Sequence, residues 1–313
     1  MTLFYLFLGI AGLWLASEIA ISGALDIAER FRVSRAFIGL TVLAIGTDVP
    51  ELFVVVTAAV NRLRGVETSG LIIGQTIGSS FGQAGLMLGI TGLFAALTIT
   101  RRKLARDGAM LVIGAVLLFM LGYDGALTRI DGLLLLIVYL VYFATLFREE
   151  KIREKIRLRP KTDLLRATLS LVGGLTLLGF SADMTVTHAL TLSQQWGVAQ
   201  SVVGALIIGL GTSLPEFATS VAAVRLGQGE MAVGNLIGST IFDIIFTLGA
   251  AAAVSGLVMS ASLLYMDVVM LIILTLLVVA VLWSRLLLSR REAAFLIIAY
   301  IIFVGAKLGE TVT

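Results

Sequence analysis

The sequence predicts an all-α, polytopic membrane protein of about ten transmembrane helices, arranged as two inverted five-helix repeats. Three observations predict this fold. The 313-residue chain is 58% hydrophobic and only 14% charged, with a mean hydropathy of +1.04, which is far more apolar than a soluble protein. A long segment occurs twice, and the Lys and Arg residues collect on alternate connections between the apolar stretches.

The apolar stretches are roughly 18 to 25 residues long, as membrane-spanning helices must be, and charged or turn-like breaks separate them. Their approximate bounds are 3–25, 36–61, 69–98, 106–123, 130–147, 165–189, 200–224, 230–256, 263–284 and 291–307. Five spans in each half force the second half to enter the membrane with the opposite orientation, because five is odd. We therefore expect a first repeat at 1–147, a linker at 148–164 and an inverted second repeat at 165–313.

The repeated segment has two parts. GLTVLAIGTDVPELFVVVTAAV, which begins at Gly39, matches a segment that begins at Gly204, 165 residues later and without a gap. GQTIGSSFGQ, from Gly74, matches GNLIGSTIFD, from Gly234, at an offset of 160 residues. Internal repeats in apolar sequence are a mark of transporters, which bind their substrate where the two halves meet.

The basic residues test the topology independently. Of the 23 Lys and Arg residues, 19 fall on one set of connections, with the densest run at 148–166, and the other set holds only Arg62, Arg64, Arg129 and Lys307. Because positively charged connections remain in the cytoplasm, we expect both termini outside and the central loop in the cytoplasm. We interpret that loop as a solvated linker, and nucleic acid is not an expected partner.

Acidic residues inside the apolar spans indicate function. Six acids fall at such positions: Glu18, Asp48, Glu51, Asp183, Glu216 and Asp243. An ionisable group at membrane depth costs about 2.5 to 3.5 kcal/mol on insertion scales, so it needs a compensating role. No Lys or Arg lies mid-span near the acids of the repeats, so ion pairing does not account for them. The roles of Glu18 and Asp183, which also align with each other, stay open between outer ligands, proton relays and packing groups.

Spacing within the repeats places oxygen ligands on shared helix faces. Thr47, Asp48 and Glu51 are three or four residues apart, so a helix presents them together. The second copy and the following helices supply the matching candidates: Thr212, Ser213, Glu216, Ser79, Gln83, Ser239 and Asp243. With no Cys and one His in the chain, thiolate and imidazole metal sites are excluded, and oxygen ligands of these kinds favour hard cations such as Ca²⁺ and Na⁺.

Two of the three prolines lie inside the motifs, at Pro50 and Pro215, and each follows a Gly-Thr pair. A proline removes a helical hydrogen bond and clashes with the preceding turn, so each helix is expected to kink or break there. Broken helices free carbonyl groups for cations. The expected carbonyl donors are those near Ala44 and Gly209.

These motifs resemble those of the cation/calcium exchanger superfamily, and most of all its prokaryotic sodium/calcium exchangers. That family carries G-T-S-x-P-E followed by G-S-N-I-x-N/D in each of two repeats. Here GTSLPE with GSTIFD matches closely, and GTDVPE with GSSFGQ matches more loosely. The resemblance implies antiport of Ca²⁺ against Na⁺ through one shared site, with the first and sixth helices sliding across the remaining bundle.

The resemblance also implies residue roles. Ca²⁺ would lie between Glu51 and Glu216, assisted by Thr47 and Thr212. The Na⁺ sites would use Ser79, Ser213, Ser239, Asp243 and the carbonyls near Ala44 and Gly209. Such a protein is not an enzyme, has no cofactor or obligatory protein partner, and resides in the lipid bilayer of the plasma membrane.

Two departures from the family pattern keep alternatives open. Asp48 stands where the family usually has Ser, and Gln83 stands where it usually has Asn or Asp. The extra acid gives the site four carboxylates, of which one Ca²⁺ balances two charges, so protons are expected to bind there as well. A proton-coupled or K⁺-involving exchanger is therefore the main alternative, and a passive cation channel or an intramembrane hydrolase are the others considered.

Overall fold

The computed structural model describes residues 1–30, 46–149 and 164–309, so the predicted ligand Ala44 lies outside the described residues. The described part forms eleven helices: α1 (Thr2–Arg30), α2 (Val49–Leu63), α3 (Ser69–Phe94), α4 (Arg101–Leu121), α5 (Arg129–Glu149), α6 (Leu164–Trp196), α7 (Gln200–Thr212), α8 (Leu214–Arg225), α9 (Gly229–Ser255), α10 (Leu263–Arg285) and α11 (Arg290–Leu308). Four two-residue strands lie in the connections: β1 (Leu97–Thr98), β2 (Ala126–Leu127), β3 (Leu257–Val258) and β4 (Leu287–Leu288).

The architecture is that of a helical membrane protein, as predicted. Seven of the described helices are each long and apolar enough to cross a membrane, and α7 with α8 would make an eighth as a bent pair. Most predicted bounds fall within a few residues of the observed helix ends. The start predicted at residue 36 for the second span lies outside the described residues. Among the helix ends that the structure describes in the other spans, the largest difference is at α6, which continues to Trp196 instead of ending at residue 189. The short strands were not predicted, because two-residue pairings leave no periodic pattern in a sequence.

The outer surface is more apolar than that of a soluble protein, and the interior holds polar side chains among its apolar ones. Large apolar side chains stand on the outer surface, where Phe4, Ile137 and Phe180 are 62%, 61% and 73% exposed. The interior instead holds fully buried polar side chains, including Glu51 and Glu216. A surface of this kind suits contact with lipid, and buried polar groups in such a protein mark functional positions.

The strand pairs connect the two halves of the chain in a crossed manner. β1, between α3 and α4, pairs with β4, between α10 and α11. β2, between α4 and α5, pairs with β3, between α9 and α10. The connection after the third long helix of one half thus lies beside the connection after the fourth long helix of the other half.

Lys307 was expected at the outer end of the last predicted span, but it is fully buried within α11. Its Nζ atom donates a hydrogen bond of 2.6 Å to Oδ2 of Asp267, which is fully buried on α10. A charge leaves water at this depth only when an opposite charge compensates it. The partner on the neighbouring helix therefore explains why this lysine is in the interior.

Glycines bring the helices of the two halves into backbone contact. On α3, a Cβ atom at Gly74 would lie 2.5 Å from the Ser201 Cα atom, and a Cβ atom at Gly78 would overlap the backbone of Ala205. On the facing side, a Cβ at Gly209 would lie 2.6 Å from the Ser79 backbone nitrogen. The α3 and α7 backbones therefore approach so closely that only glycine fits at these positions, as in other membrane helix pairs.

We predict that Gly78→Ala destabilises the protein while Gly238→Ala, at the aligned position of the second half, does not. The new methyl group at residue 78 meets rigid backbone and separates α3 from α7, at a cost of about 1–3 kcal/mol, typical of overpacking. A Cβ at Gly238 meets nothing within 4 Å. Thermal unfolding in detergent, followed by size-exclusion chromatography, would show a lower midpoint for the first variant only; equal midpoints would contradict the close packing.

Candidate cation site

The predicted helix break is present in the second half. α7 ends at Thr212, α8 begins at Leu214, and the two helices are bent by 40° at Ser213. Ser213 has φ −84° and ψ 3°, and Asp48, which aligns with it, has nearly the same conformation at φ −83° and ψ −1°. The residue two positions before each proline thus has the same backbone conformation, and in each half it directly precedes a helix that begins one residue before the proline.

The carbonyl groups that the prolines release differ from those predicted. In a regular helix the backbone N–H of residue i donates to the carbonyl of residue i−4, so Pro50 and Pro215 deprive Gly46 and Gly211 of their helical donors. The Gly209 carbonyl, by contrast, accepts the Ser213 backbone N–H at 3.4 Å. The sequence analysis expected the freed carbonyl near Gly209, and the carbonyl that loses its donor to Pro215 is that of Gly211, two residues later.

Two π-helical segments position the polar residues of the following helices. Residues 82–87 of α3 and 242–247 of α9 form π-turns at aligned positions of the two halves. Gln83 and Asp243 are the second residues of these segments. A π-turn inserts an extra residue into the helical ladder and is often found at functional sites. Here it accompanies two polar side chains that both face the interior.

Asp243 is held by side chains of the first half. Its Oδ2 atom accepts a hydrogen bond of 2.6 Å from the Ser79 hydroxyl and one of 3.2 Å from the Gln83 amide Nε2. The Thr240 hydroxyl lies 2.8 Å from the Leu236 carbonyl oxygen and 3.1 Å from the Gln83 Oε1 atom, so it packs against the amide on the side away from the carboxylate. Sequence reasoning missed Thr240, although its place three residues before Asp243 on the same helix could have indicated it.

Glu51 belongs to the same network. The Ser213 hydroxyl lies 3.0 Å from Glu51 Oε1 and 2.9 Å from the Gly209 carbonyl oxygen, and it accepts the Gln83 Nε2 at 3.2 Å. The Thr212 side chain also lies beside the Glu51 carboxylate. Every hydrogen bond on the path from Asp243 through Gln83 and Ser213 to Glu51 therefore joins a residue of one half to a residue of the other.

Asp48, the acid that departs from the family pattern, lies at the same centre. Its carboxyl group is 2% exposed and lies against the side chains of Ser239 and Glu216, both from the second half. Glu216 is fully buried, and Asn235 donates to its backbone carbonyl at 3.1 Å. Asp48 thus replaces a neutral hydroxyl with a charge next to one of the two central glutamates.

Several oxygens of this cluster have no hydrogen-bond donor. They are Asp48 Oδ1, Glu51 Oε2, both Oε atoms of Glu216, Asp243 Oδ1 and the Thr47 hydroxyl. Among the residues that the structure describes, no basic side chain pairs with any of the four acids. In the same described ranges, no three carboxylate or imidazole groups converge as a ready metal site. The arrangement can therefore hold a cation only with hydroxyl and amide oxygens completing its shell, as hard cations accept.

The predicted residues thus separate into two groups. The structure brings together the side chains of Asp48, Glu51, Ser79, Gln83, Thr212, Ser213, Glu216, Ser239 and Asp243. Thr47 is part-buried beside them with an unpartnered hydroxyl. The two other membrane-depth acids lie outside this cluster: Glu18 is exposed on α1, and Asp183 is exposed in a cavity of about 420 Å³ between α2 and α6.

A crevice of about 230 Å³ leads to this cluster from the connection between α3 and α4. Its inner end is lined by Asp48 and Ser239, and its outer end by Lys103, Arg106 and Asp107. Both basic residues have acidic partners, since Lys103 pairs with Glu230 at 3.1 Å and Arg106 with Asp107 at 2.6 Å. The charge of Asp48 at the inner end is not compensated in this way, so the crevice attracts cations inward.

The profile of the sodium/calcium exchanger protein family matches residues 1–148 and 166–309. The putative antiporter CaxA of Alkalimonas amylolytica is 31% identical over 302 residues, which cover 92% of each chain.

Solved structures of exchangers show the same fold. The sodium-calcium exchanger NCX_Mj superimposes with a TM-score of 0.66 at 26% identity, over 97% of this chain and 98% of that one. The H⁺/Ca²⁺ exchanger CAX superimposes with a TM-score of 0.79 over 98% of this chain and 86% of that one. Its 17% identity makes it a likeness of fold alone.

We predict that a single cysteine at Gly238, which lines the crevice, is open to water. The chain has no Cys, so Gly238→Cys introduces the sole thiol, and its Cβ meets nothing within 4 Å. A membrane-impermeant methanethiosulfonate reagent should modify it from the face that carries Arg106, and bound Ca²⁺ should slow the reaction.

The matched control is Gly305→Cys on the exposed surface of α11, where a Cβ also meets nothing within 4 Å. That thiol would face lipid and stay unmodified. Equal modification of both thiols, or no effect of Ca²⁺ on the first, would contradict the assignment of the crevice.

Proposed function

Since the chain belongs to the sodium/calcium exchanger family, within the cation/calcium exchanger superfamily, we propose that it is a secondary active antiporter that exchanges Ca²⁺ for Na⁺. The family consists of exchangers rather than enzymes. The exchange would proceed by alternating access through one midplane site. The site is the cluster around Glu51 and Glu216, to which both halves contribute.

The observation that carries this proposal is the set of buried carboxylate oxygens without donors. Four acids at membrane depth have no basic partner among the described residues, and leaving them ionised and unpaired would cost several kcal/mol each. A bound cation removes this cost. Glu51 and Glu216 together balance the charge of one Ca²⁺, and the hydroxyls of Thr47 and Thr212 complete the proposed calcium ligands.

The sodium sites of the proposal use groups that surround the same carboxylates. Asp243 accepts from Ser79 and Gln83, and the Ser213 hydroxyl contacts Glu51. The further proposed ligands are Ser239 and the carbonyls of Ala44 and Gly209. Because Na⁺ and Ca²⁺ would share these carboxylates, the binding of one excludes the other, and the empty site with its repelling charges resists reorientation. Mutual exclusion then couples the two fluxes.

The crossed strand pairs support two inverted five-helix repeats. Connections after the third and fourth spans of a half lie on opposite faces of a membrane, yet β1 pairs with β4 and β2 with β3. Only opposite orientations of the halves place these connections side by side. We therefore propose ten spans, in repeats at 1–147 and 165–313 around the linker at 148–164.

The distribution of basic residues supports a plasma-membrane protein with both termini outside and the central loop in the cytoplasm. On that orientation the crevice beside Arg106 opens to the cytoplasm. The proposed ligands are Ca²⁺ and Na⁺, transported as substrates, with no cofactor. The lipid bilayer is the proposed partner, and neither nucleic acid nor a second protein is required.

A proton-coupled or K⁺-involving exchange is the second candidate, and Asp48 favours it. This fourth carboxylate lies against Glu216 in the cluster and is reached from the crevice. Ca²⁺ leaves two of the four negative charges uncompensated, and a proton or a second monovalent cation could balance them. No comparable observation favours a passive channel or an intramembrane hydrolase.

We predict that proteoliposomes loaded with Na⁺ take up Ca²⁺, while those loaded with K⁺ or choline do not. Glu216→Gln should abolish uptake because the amide removes one of the two central charges. Glu18→Gln, which changes an exposed acid on α1, should retain it. Uptake from choline-loaded vesicles driven by a pH gradient would contradict Na⁺ coupling, and uptake without any gradient would indicate a channel.

We also predict that Asp48→Ser flattens the pH dependence of Ca²⁺ uptake. In the wild type, protons should compete with Ca²⁺ for the fourth carboxylate, so uptake falls as the pH is lowered. The serine variant retains the hydroxyl usual in the family and lacks that competition. Parallel pH profiles of the two proteins, measured at several Ca²⁺ concentrations, would show that Asp48 has no role in coupling.

A further inference from the structure

Side chains of α1 donate to both carbonyls that lose a helical donor to proline, and the Gly46 carbonyl also accepts the Val49 backbone N–H at 3.4 Å. The Trp14 indole Nε1 donates to the Gly211 carbonyl at 3.1 Å, and the Ser17 hydroxyl donates to the Gly46 carbonyl at 3.3 Å. Trp14 and Ser17 are three residues apart, so they share one face of the helix. A single helix of the first half therefore contacts the break of each half.

This arrangement is not a consequence of the internal repeat. The positions on α6 that align with Trp14 and Ser17 are Gly179 and Ala182, neither of which has a polar side chain. Within the described part of the chain, side-chain donors to these two carbonyls come from α1 alone. The pair of donors is thus a specific feature of α1 and not a copy of a motif present twice.

The fit of α1 against the break in α7 is close. A Cβ atom added to Gly211 would lie 3.1 Å from Cδ1 of Ile10, one helical turn before Trp14 on α1. The small residue therefore lets α1 approach near enough for the indole to reach the carbonyl. Any outward shift of α1 by more than a few tenths of an ångström would weaken the 3.1 Å hydrogen bond.

The residues that follow the two carbonyls belong to the cation site. Thr47 follows Gly46 and Thr212 follows Gly211 in the chain. Glu51 and Glu216 come one turn later. A peptide plane that is fixed at its carbonyl oxygen also fixes the next backbone nitrogen, because the peptide bond is rigid. Orientation of these carbonyls therefore orients the first ligands of each motif.

From this geometry we propose that Trp14 and Ser17 are positioning residues for cation binding. By holding the Gly46 and Gly211 carbonyls, they keep both breaks in the conformation that directs the threonine hydroxyls and the glutamates toward one another. Neither side chain contacts the cation. Loss of Trp14 removes the α1 donor from the Gly211 carbonyl, and loss of Ser17 leaves the Gly46 carbonyl with the long Val49 N–H contact alone. The backbone next to the site is then less ordered before the cation binds, and affinity falls.

This inference rests on the proposed function, since it concerns the affinity of the site for Ca²⁺. The test is equilibrium binding of Ca²⁺ to purified full-length protein in detergent, measured by isothermal titration for the wild type, Trp14→Phe and Ser17→Ala. The phenylalanine retains an aromatic ring and removes the N–H donor. The expected result is a dissociation constant raised roughly three- to tenfold in each variant, the usual effect of one hydrogen bond.

Two control variants match the chemistry at other places. Trp283→Phe removes an indole at a half-exposed position of α10, and Ser181→Ala removes a buried hydroxyl on α6. Both should bind Ca²⁺ within about twofold of the wild type. A purely structural role for Trp14 would lower the thermal midpoint in the absence of Ca²⁺ and the fraction of active protein, without changing the dissociation constant of the folded fraction.

The exchange kinetics give a second measure, because a positioning role should raise the KM for Ca²⁺ more than it lowers kcat. Dissociation constants of Trp14→Phe and Ser17→Ala that equal those of the controls, or that are lower, would overturn the inference. Should Trp14→Phe fail to fold, Ser17→Ala decides by the same criterion. A wild type that binds no Ca²⁺ would instead overturn the proposed function, which keeps the two failures distinct.

Discussion

Four carboxylates in the membrane interior, without basic partners among the described residues, are the constraint on which the rest of this structure depends. Asp48, Glu51, Glu216 and Asp243 can stay ionised in a low-dielectric interior only when a cation compensates their charge, and without one they bind protons. Hydroxyl and amide donors reach only some of their oxygens. The surrounding helices must therefore exclude lipid and also leave room for a charged ligand. Irregular helix segments meet both requirements, because they turn polar groups toward the cluster while the helices stay packed around it.

Irregular backbone lies next to all four carboxylates, and further π-turns occur at 104–108, 204–209 and 263–268. The breaks at Asp48 and Ser213 turn the motif residues toward the centre, and the π-turns that contain Gln83 and Asp243 do the same for the facing helices. Such departures from regular helix are tolerated in a membrane protein only where protein or water satisfies the freed groups. Side chains of α1 donate hydrogen bonds to the Gly46 and Gly211 carbonyls, which lose their helical donors to proline. A helix outside the carboxylate cluster thus stabilises the backbone next to it.

The two halves are alike in sequence but differ in side-chain packing at aligned positions. Asp107 lines an open crevice on α4, whereas Asp267, which aligns with it on α10, forms a fully buried ion pair with Lys307. Gly78 contacts backbone, while Gly238 faces open space. Within the described residues, these differences leave a crevice that reaches the carboxylates on the side where α4 begins. If aligned positions of the two halves were packed alike, crevices of equal size would reach the carboxylates from both membrane faces.

The sequence by itself determined the membrane class, the family, the acids at membrane depth and the positions of the prolines in the motifs. The reason is that mean hydropathy, a repeat at an offset of 165 residues and proline positions can be read from the order of residues without knowing how helices pack. The sequence did not determine that Thr240 packs against the Gln83 amide, nor that Trp14 reaches a carbonyl 197 residues away, since such contacts depend on how distant helices pack. Only the tertiary structure moved Lys307 from the outer end of a predicted span into the interior, because its buried partner lies on another helix.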